Sequence, residues 1–191
     1  MAMTRTTLRD IISASMHVSS LHNVTAGDLP SPQAMLDNAN RNLYDDFTDV
    51  GMMATLFVGQ YNPAAQTLTY ANAGHSPVIY CPRDKPARLL EADGTALGVL
   101  PISLSANQIL KMQPGDVVVV GTDGFNEARN PSGELFGYDN LLSLITSVAV
   151  NDAGMIARSL YDAVLEFAQD RPQDDDQTLV VLKVTEDRNA L

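Results

Sequence analysis

Two aspartates in this 191-residue chain lie where the ends of two strands could bring them together. Asp123 follows the apolar run Val117–Val120, and Asp175 belongs to the aspartate triplet just before the run Thr178–Val184. If these runs form neighbouring antiparallel strands, the exit of one lies beside the entrance of the other, and Asp123 comes within reach of Asp175. Two such carboxylates repel each other unless a cation joins them or one of them is protonated. Hard divalent cations such as Mg²⁺ and Mn²⁺ prefer this type of oxygen ligand.

A structural interpretation of the same residues stands beside the metal hypothesis. Aspartates at strand ends often serve turns and caps, and Asp123-Gly124 is an ordinary turn dipeptide. The triplet Asp174–Asp176 is also typical of a solvated loop. Taken alone, the spacing favours this structural interpretation, although Gly124 would let the backbone approach a bound ion closely.

The hydrophobic pattern predicts the elements that must position these residues. Apolar residues at helical spacing predict a helix over residues 1–20, and Ser31-Pro32 begins a second helix that ends near Asp45 or Asp46. Later helices are predicted at Tyr138–Val148 and after a cap at Asn151 or Asp152. Short apolar runs predict strands at Met53–Tyr61, Thr67–Ala71, Pro77–Cys81, Leu104–Met112, Val117–Val120 and Thr178–Val184. This order predicts an α/β fold of the α+β type, with mainly antiparallel sheets and helices packed against them.

Composition narrows the class of protein. Hydrophobic residues make up 45% of the chain, which supports a real core, and the net charge is −11. Such a surface repels phosphate backbones and anionic lipid, so neither nucleic acid nor a membrane is an expected partner. The sole cysteine, Cys81, cannot form an internal disulfide, and no signal or membrane-spanning run is visible, so we predict a cytoplasmic protein.

Several short segments occur in one order along the chain, and the ordered set is more specific than any member. They are Asn72-Ala73-Gly74-His75, Leu97-Gly98-Val99, Pro114-Gly115-Asp116, Thr122-Asp123-Gly124 with Glu127-Ala128, Leu135-Phe136-Gly137 and Asp175-Asp176-Gln177-Thr178-Leu179. This set resembles the SpoIIE/RsbU-type serine/threonine phosphatases, the bacterial branch of the metal-dependent type 2C (PPM) protein phosphatases. Met1–Thr7 resembles the helix after the family's Gly-His-Gly segment, and Met53–Phe57 resembles its next strand.

The resemblance implies a fold and a chemistry. The fold is an α-β-β-α sandwich of two mainly antiparallel sheets with helices outside. The chemistry uses a binuclear Mn²⁺ or Mg²⁺ site, whose activated water attacks a phosphoserine or phosphothreonine. By the family pattern Asp123 and Asp175 are metal ligands. Residues implied to support the site are Gly74, His75, Gly124 and Asp176.

One departure from the family pattern bears on the site. The family's two upstream aspartates, in a Gly-Gly-Asp-like and a Gly-Asp-Val-x-Gly-His-Gly-like segment, have no counterpart here. We therefore expect residues 1–184 to form a partial phosphatase domain without its first strands, followed by a tail at 185–191. Uncovered sheet edges favour self-association, so a homodimer is expected.

Three functions follow as hypotheses. The first is a protein phosphatase of partner-switching or stress signalling. Its substrate would be a phosphorylated regulator of the anti-sigma-factor antagonist type, and a sensor or receiver domain would lie upstream. The second is a degenerate or truncated non-catalytic module that binds a partner, which the absent aspartates favour. The third is a metal-dependent hydrolase of small phosphoesters, which no feature of the sequence favours over the first.

Overall fold

The computed structural model describes residues 29–186. The predicted helix over residues 1–20 lies outside this range. The helices are α1 (Pro32–Val50), α2 (Gly137–Val148) and α3 (Ala153–Ala168). The strands are β1 (Leu56–Asn62), β2 (Thr67–Ala73), β3 (Val78–Cys81), β4 (Arg88–Leu90), β5 (Gln108–Lys111), β6 (Val117–Gly121) and β7 (Leu179–Lys183). No helix among the described residues is long and apolar enough to cross a bilayer.

The described residues divide into two compact units. The first unit contains residues up to His75 together with Ala92–Lys111, and the second contains Ser76–Glu91 and the chain from Met112 onward. In the first unit, α1 packs on an antiparallel sheet of strand order β1-β2-β5. Leu36 and Ala39 of the helix join Ala71 and Ala73 of the sheet in its core.

The second unit carries both candidate ligands. Its antiparallel sheet has the order β4-β3-β6-β7, so β6 is a central strand, as its continuous apolar run predicts. Helices α2 and α3 supply the other half of a core in which Ile145, Ile156 and Leu160 are almost fully buried. Burial of these apolar side chains is the main stabilising term for β6 and β7, which bear the candidate site.

The structure corrects several element predictions. The strand predicted at Met53–Tyr61 is Leu56–Asn62, and the one predicted at Leu104–Met112 covers only Gln108–Lys111. Helix α1 does not end near Asp45 or Asp46 but continues to Val50, because Phe47 extends its buried face and Gly51 ends it in the left-handed conformation. Strand β4 was not predicted, since three residues leave too short a pattern. The N-caps at Ser31 and Asp152 are confirmed by bonds from the amides of Ala34 and Met155 to their side chains.

Asp116, in the Pro-Gly-Asp motif, is fully buried and fixes the start of β6. Its Oδ2 atom accepts hydrogen bonds from the Tyr80 hydroxyl at 2.7 Å and the Gln113 amide at 3.0 Å. Its Oδ1 atom accepts from the Arg83 amide at 2.7 Å. A buried carboxylate with these donors ties β6 to β3 and to the turn after β3.

This arrangement predicts a loss of stability at alkaline pH. Burial raises the pKa of the Tyr80 hydroxyl well above its usual value of about 10, and the bond to the negatively charged Asp116 raises it further. Above pH 10 the unfolded chain loses this proton while the folded chain keeps it. The free energy of unfolding should therefore fall by up to about 1.4 kcal/mol per pH unit from this group. Urea unfolding between pH 8 and 11 measures the slope.

Two tyrosine variants identify the source of that slope. Tyr80→Phe removes the titrating hydroxyl, so its curve should be flatter than that of the wild type above pH 10, although it starts about 1–2 kcal/mol lower. Tyr161→Phe removes a hydroxyl from a half-exposed ring and should keep the wild-type slope. Equal slopes in Tyr80→Phe and the wild type would contradict the assignment.

Candidate metal centre

The pairing of β6 with β7 brings the two predicted loops together. The strands are antiparallel, with Gly121 opposite Leu179, so the chain leaves β6 where it enters β7. Asp123 lies two residues beyond this last pair on one side, and Asp175 lies four residues before it on the other. The juxtaposition that the sequence predicts is therefore confirmed at the level of the loops.

Thr122 and Gln177, which are members of the sequence motifs but not predicted site residues, hold these loops to each other. The Thr122 hydroxyl donates to the carbonyl oxygen of Asp176 at 2.8 Å and accepts from the Thr178 amide at 3.0 Å. The Thr122 amide donates to the Thr178 carbonyl at 3.1 Å, which continues the ladder past β6. The Gln177 side-chain amide donates to the Gly124 carbonyl at 2.9 Å. A polar side chain within two residues of each strand, Thr122 after β6 and Gln177 before β7, is the signal that could have revealed these bonds.

The two carboxylates are exposed, and their local bonds differ. The Asp175 Oδ1 atom accepts the amide of Asp176 at 2.7 Å, which orients the carboxylate within its own loop. Within residues 29–186 no hydrogen-bond donor to the Asp123 carboxylate is found, while its backbone carbonyl accepts the Glu127 amide at 2.8 Å. Neighbouring Asp174 is engaged elsewhere, because it accepts from Arg171 at 3.3 Å.

The negative charge of Asp123 affects the pKa of Tyr138. Burial raises the pKa of the Tyr138 hydroxyl, a hydrogen bond with Ser76 lowers it, and the charges of Glu91, Asp123 and Glu127 raise it. Asp123 therefore belongs to an acidic region of the second unit, which a cation would neutralise.

Gly124 is required by the close approach of the two loops. A Cβ atom at this position would lie 2.7 Å from the backbone carbonyl oxygen of Asp176, closer than side-chain carbons come to backbone in folded proteins. The glycine therefore lets the Asp123 loop pack directly on the loop before β7. The close packing gives a steric reason for a glycine at this position. The role of Gly124 in supporting a metal site stays a prediction.

We expect Gly124→Ala to separate the two loops. The backbone must move to relieve the contact with Asp176, which should destabilise the unit by about 1–3 kcal/mol. Because Asp123 moves with residue 124, the apparent Mn²⁺ affinity should fall about tenfold. Thermal melts and Mn²⁺ titrations measure both effects.

A second glycine provides the control for that substitution. Gly121→Ala places its Cβ 3.5 Å from a Leu179 methyl group, an ordinary contact, so it should leave both quantities close to wild type. A wild-type melting temperature and Mn²⁺ affinity in Gly124→Ala would refute the steric argument.

The carboxylate oxygens of Asp123 and Asp175 are the type of ligand that a hard divalent cation prefers. Mg²⁺ is commonly held by one or two carboxylates and keeps several waters, and Asp123 and Asp175 supply such oxygens. Within residues 29–186 no group of three His, Cys, Asp or Glu side chains is placed to hold a metal. The described residues thus offer the carboxylates of Asp123 and Asp175 for such a site. Asp176, the last aspartate of the triplet, lies next to Asp175 in the chain.

Gly74 and His75 lie in the first unit, at the end of β2. Asn72 is buried, and its side chain accepts from the His75 amide at 2.8 Å and donates to the His75 carbonyl at 3.2 Å. A Cβ at Gly74 would lie 2.7 Å from the Ala96 amide nitrogen. The Nδ1 atom of His75 lies 3.4 Å from the Thr55 hydroxyl. These contacts give the motif a structural role, and its implied support of the metal site is left as a prediction.

The sequence comparisons agree with the resemblance. The family profile described as Stage II sporulation protein E (SpoIIE) matches residues 1–185. The phosphoserine phosphatase RsbU of Bacillus subtilis is 33% identical over 153 residues, which are 80% of this chain and 45% of RsbU. Protein IcfG of a Synechocystis strain is 36% identical over 99 residues, covering 52% of this chain. The chain spans less than half the length of these curated relatives, 45% of RsbU and 16% of IcfG.

Solved structures show the same fold at low identity. The SiaA-PP2C domain of Pseudomonas aeruginosa superposes with a TM-score of 0.76 over 92% of this chain and 66% of that chain, at 17% identity. The manganese-presoaked phosphatase domain of SpoIIE from Bacillus subtilis gives 0.60 over 95% of this chain and 74% of that domain, at 14% identity. These likenesses confirm the predicted fold class. The chain belongs to the SpoIIE family and has the fold of a PP2C-type phosphatase domain.

Proposed function

We propose that this chain is the phosphatase domain of a metal-dependent enzyme that hydrolyses phosphoserine or phosphothreonine on a regulator protein. The observation that carries the proposal is the β6–β7 register in this member of the SpoIIE family. It brings the Asp123 and Asp175 loops together at one end of the two strands. The name of RsbU, a phosphoserine phosphatase, supports the choice of substrate residue.

In this proposal the chain's own residues build a support for the cation. Asp123 and Asp175 hold it, Thr122 and Gln177 keep the two loops in register, and Gly124 leaves room for the close packing. A divalent cation bound there supplies an activated water and neutralises phosphate charge. The protein contributes carboxylate oxygens on two loops that hydrogen bonds hold together, which reduces the reorganisation needed when the substrate binds.

The biological setting is part of the proposal. A phosphorylated regulator of the anti-sigma-factor antagonist type is the proposed substrate in the cytoplasm, with a sensor or receiver domain in the same protein. Support comes from a solved structure of similar fold, PppA, which is described as a key regulatory component of T6SS in Pseudomonas aeruginosa and is 18% identical. Residues 1–184 are proposed to form the phosphatase domain and 185–191 its tail. Association of two copies through sheet edges is proposed with it.

A non-catalytic partner-binding module is the second candidate. It is favoured by the absence, within residues 29–186, of any group of three potential metal-binding side chains. A module of this kind would keep the loops at the end of the sheet but have too few ligands to turn over a phosphate ester.

Phosphate release separates the two candidates. The full chain is incubated with phosphorylated casein and with para-nitrophenyl phosphate, each in MnCl₂ and in EDTA. Release from casein only with Mn²⁺ supports the protein phosphatase. Hydrolysis of the aryl ester alone indicates a small-phosphoester hydrolase, and no release from either substrate indicates the non-catalytic module.

A further inference from the structure

A groove of about 350 Å³ in the second unit opens beside the candidate site. Gly124 and Asp175, from the two loops of that site, form part of its lining. The rest comes from the segment after Gly124, from one face of α3, and from the loop before β7. Its volume lies at the lower end of the range for ligand pockets and suits a few side chains. Because Gly124 and Asp175 belong to both features, a substrate whose phosphorus atom lies at the two loops can place its neighbouring residues over this groove.

The groove has an apolar surface that is open to water. Val164 and Ala128 are buried beneath it, while Tyr161 and Leu165 line it with 48% and 60% of their surface exposed. The Tyr161 ring is held by an edge contact with Phe125, with centroids 6.5 Å apart. A fixed aromatic ring beside an exposed leucine is suited to bind an apolar side chain.

The groove also has an available cation. Arg129 donates from Nη1 to the Gly133 carbonyl at 2.9 Å, and its other N–H groups bond to no residue within 29–186. The second arginine of the lining, Arg171, is paired with Asp174 at 3.3 Å. Arg129 is therefore the group that can bind a carboxylate of a ligand. In a chain of net charge −11, and in a lining that also holds Glu127, Asp174 and Asp175, Arg129 gives a ligand carboxylate one favourable contact.

We propose that this groove binds the segment of the substrate protein that adjoins the phosphorylated residue. The segment is extended, carries a carboxylate that pairs with Arg129, and places an apolar side chain on Tyr161 and Leu165. This assignment rests on the proposed phosphatase function. It goes further by specifying which side chains next to the phosphorylated residue the enzyme prefers.

Peptide binding tests the groove without relying on turnover. Two fluorescein-labelled peptides carry a non-hydrolysable phosphonate analogue of phosphoserine, one flanked by Glu and Leu and the other by Lys and Ser. Fluorescence anisotropy with the full chain, in MnCl₂ and in EDTA, should show about tenfold tighter binding of the Glu/Leu peptide. Arg129→Gln should weaken that peptide about fivefold and Leu165→Ser about threefold.

Matched substitutions outside the groove serve as controls. Arg158→Gln removes the same charge from an exposed position of α3, and Met155→Ser removes a similarly exposed apolar side chain. Both should bind the Glu/Leu peptide as the wild type does. Equal affinity for the two peptides, no binding of either, or wild-type affinity in Arg129→Gln would overturn the assignment.

The same samples separate this inference from the phosphatase itself. Wild-type chain that releases phosphate from para-nitrophenyl phosphate but does not distinguish the peptides overturns the groove and leaves the phosphatase standing. Chain that distinguishes the peptides but releases no phosphate supports the groove and overturns the activity.

Discussion

Replacing Val119 by aspartate is expected to unfold the unit that carries both candidate ligands. Val119 is 4% exposed in the central strand β6, where it lies opposite Ile79 of β3 and Val181 of β7. A carboxylate there has no polar partner in the surrounding apolar core, and burying it costs several kcal/mol. That cost is comparable to the whole stability of a small domain, which is about 5–15 kcal/mol.

A valine on the edge strand is the control for this substitution. Val180 of β7 is 61% exposed, so Val180→Asp should change the free energy of unfolding by no more than about 0.5 kcal/mol. Near-ultraviolet circular dichroism and thermal melting compare the two variants. Soluble Val119→Asp chain with an unchanged melting temperature would show that β6 is not the central strand.

Asp123→Asn is expected to remove cation-dependent phosphate release while the fold persists. The amide is almost isosteric with the carboxylate but lacks its charge, so a hard cation loses a strong ligand. Losing a ligand should lower the rate of phosphate release from phosphorylated casein at least about 100-fold. Because Asp123 is exposed and its side chain accepts no hydrogen bond from residues 29–186, the melting temperature should change little.

The control for Asp123→Asn makes the same charge change elsewhere. Asp162 is exposed on α3 and lines neither the groove nor the β6–β7 loops, so Asp162→Asn should keep the wild-type rate. If Asp123→Asn keeps the wild-type rate of an active protein, Asp123 is not a ligand.

The elements that position the site could be predicted because their hydrophobic patterns are strong. Four valines in a row predict a strand buried on both faces, and β6 lies between two neighbours in its sheet. Antiparallel geometry then makes the meeting of the Asp123 and Asp175 loops a simple consequence of strand order. The end of α1 was predicted wrongly because its hydrophobic pattern is weak there. One buried phenylalanine and a glycine cap extend the helix to Val50.

The roles of the motif residues could not be read from their order alone. Asp116 is buried, and its side chain bonds the Tyr80 hydroxyl and the Arg83 amide, 33 or more residues away, which depends on tertiary packing. Asn72 is also buried, but its side chain bonds the amide of His75 three residues later, in a local turn. The bonds from Thr122 and Gln177 cross between chain segments more than 50 residues apart. Sequence spacing identifies where the loops meet, but only coordinates show what holds them together.

The groove beside the site could not be predicted from the hydrophobic pattern of the sequence. Tyr161 and Leu165 lie on α3, 32 or more residues from Arg129, and their apolar character fits an ordinary helix face equally well. Their exposure beside Asp175 distinguishes them, and exposure is a property of the packed molecule.

A Mn²⁺ titration of the full chain, followed by electron paramagnetic resonance of the free ion, tests whether Asp123 and Asp175 bind a divalent cation. Asp123→Asn and Asp175→Asn are compared with Asp174→Asn, which neutralises the adjacent carboxylate that pairs with Arg171. Each ligand variant should bind Mn²⁺ at least about tenfold more weakly, while Asp174→Asn should bind as the wild type does. The double variant should bind Mn²⁺ more weakly than either single one, because neither carboxylate of the pair then remains to hold the cation. Unchanged Mn²⁺ affinity in Asp123→Asn or Asp175→Asn would contradict the account.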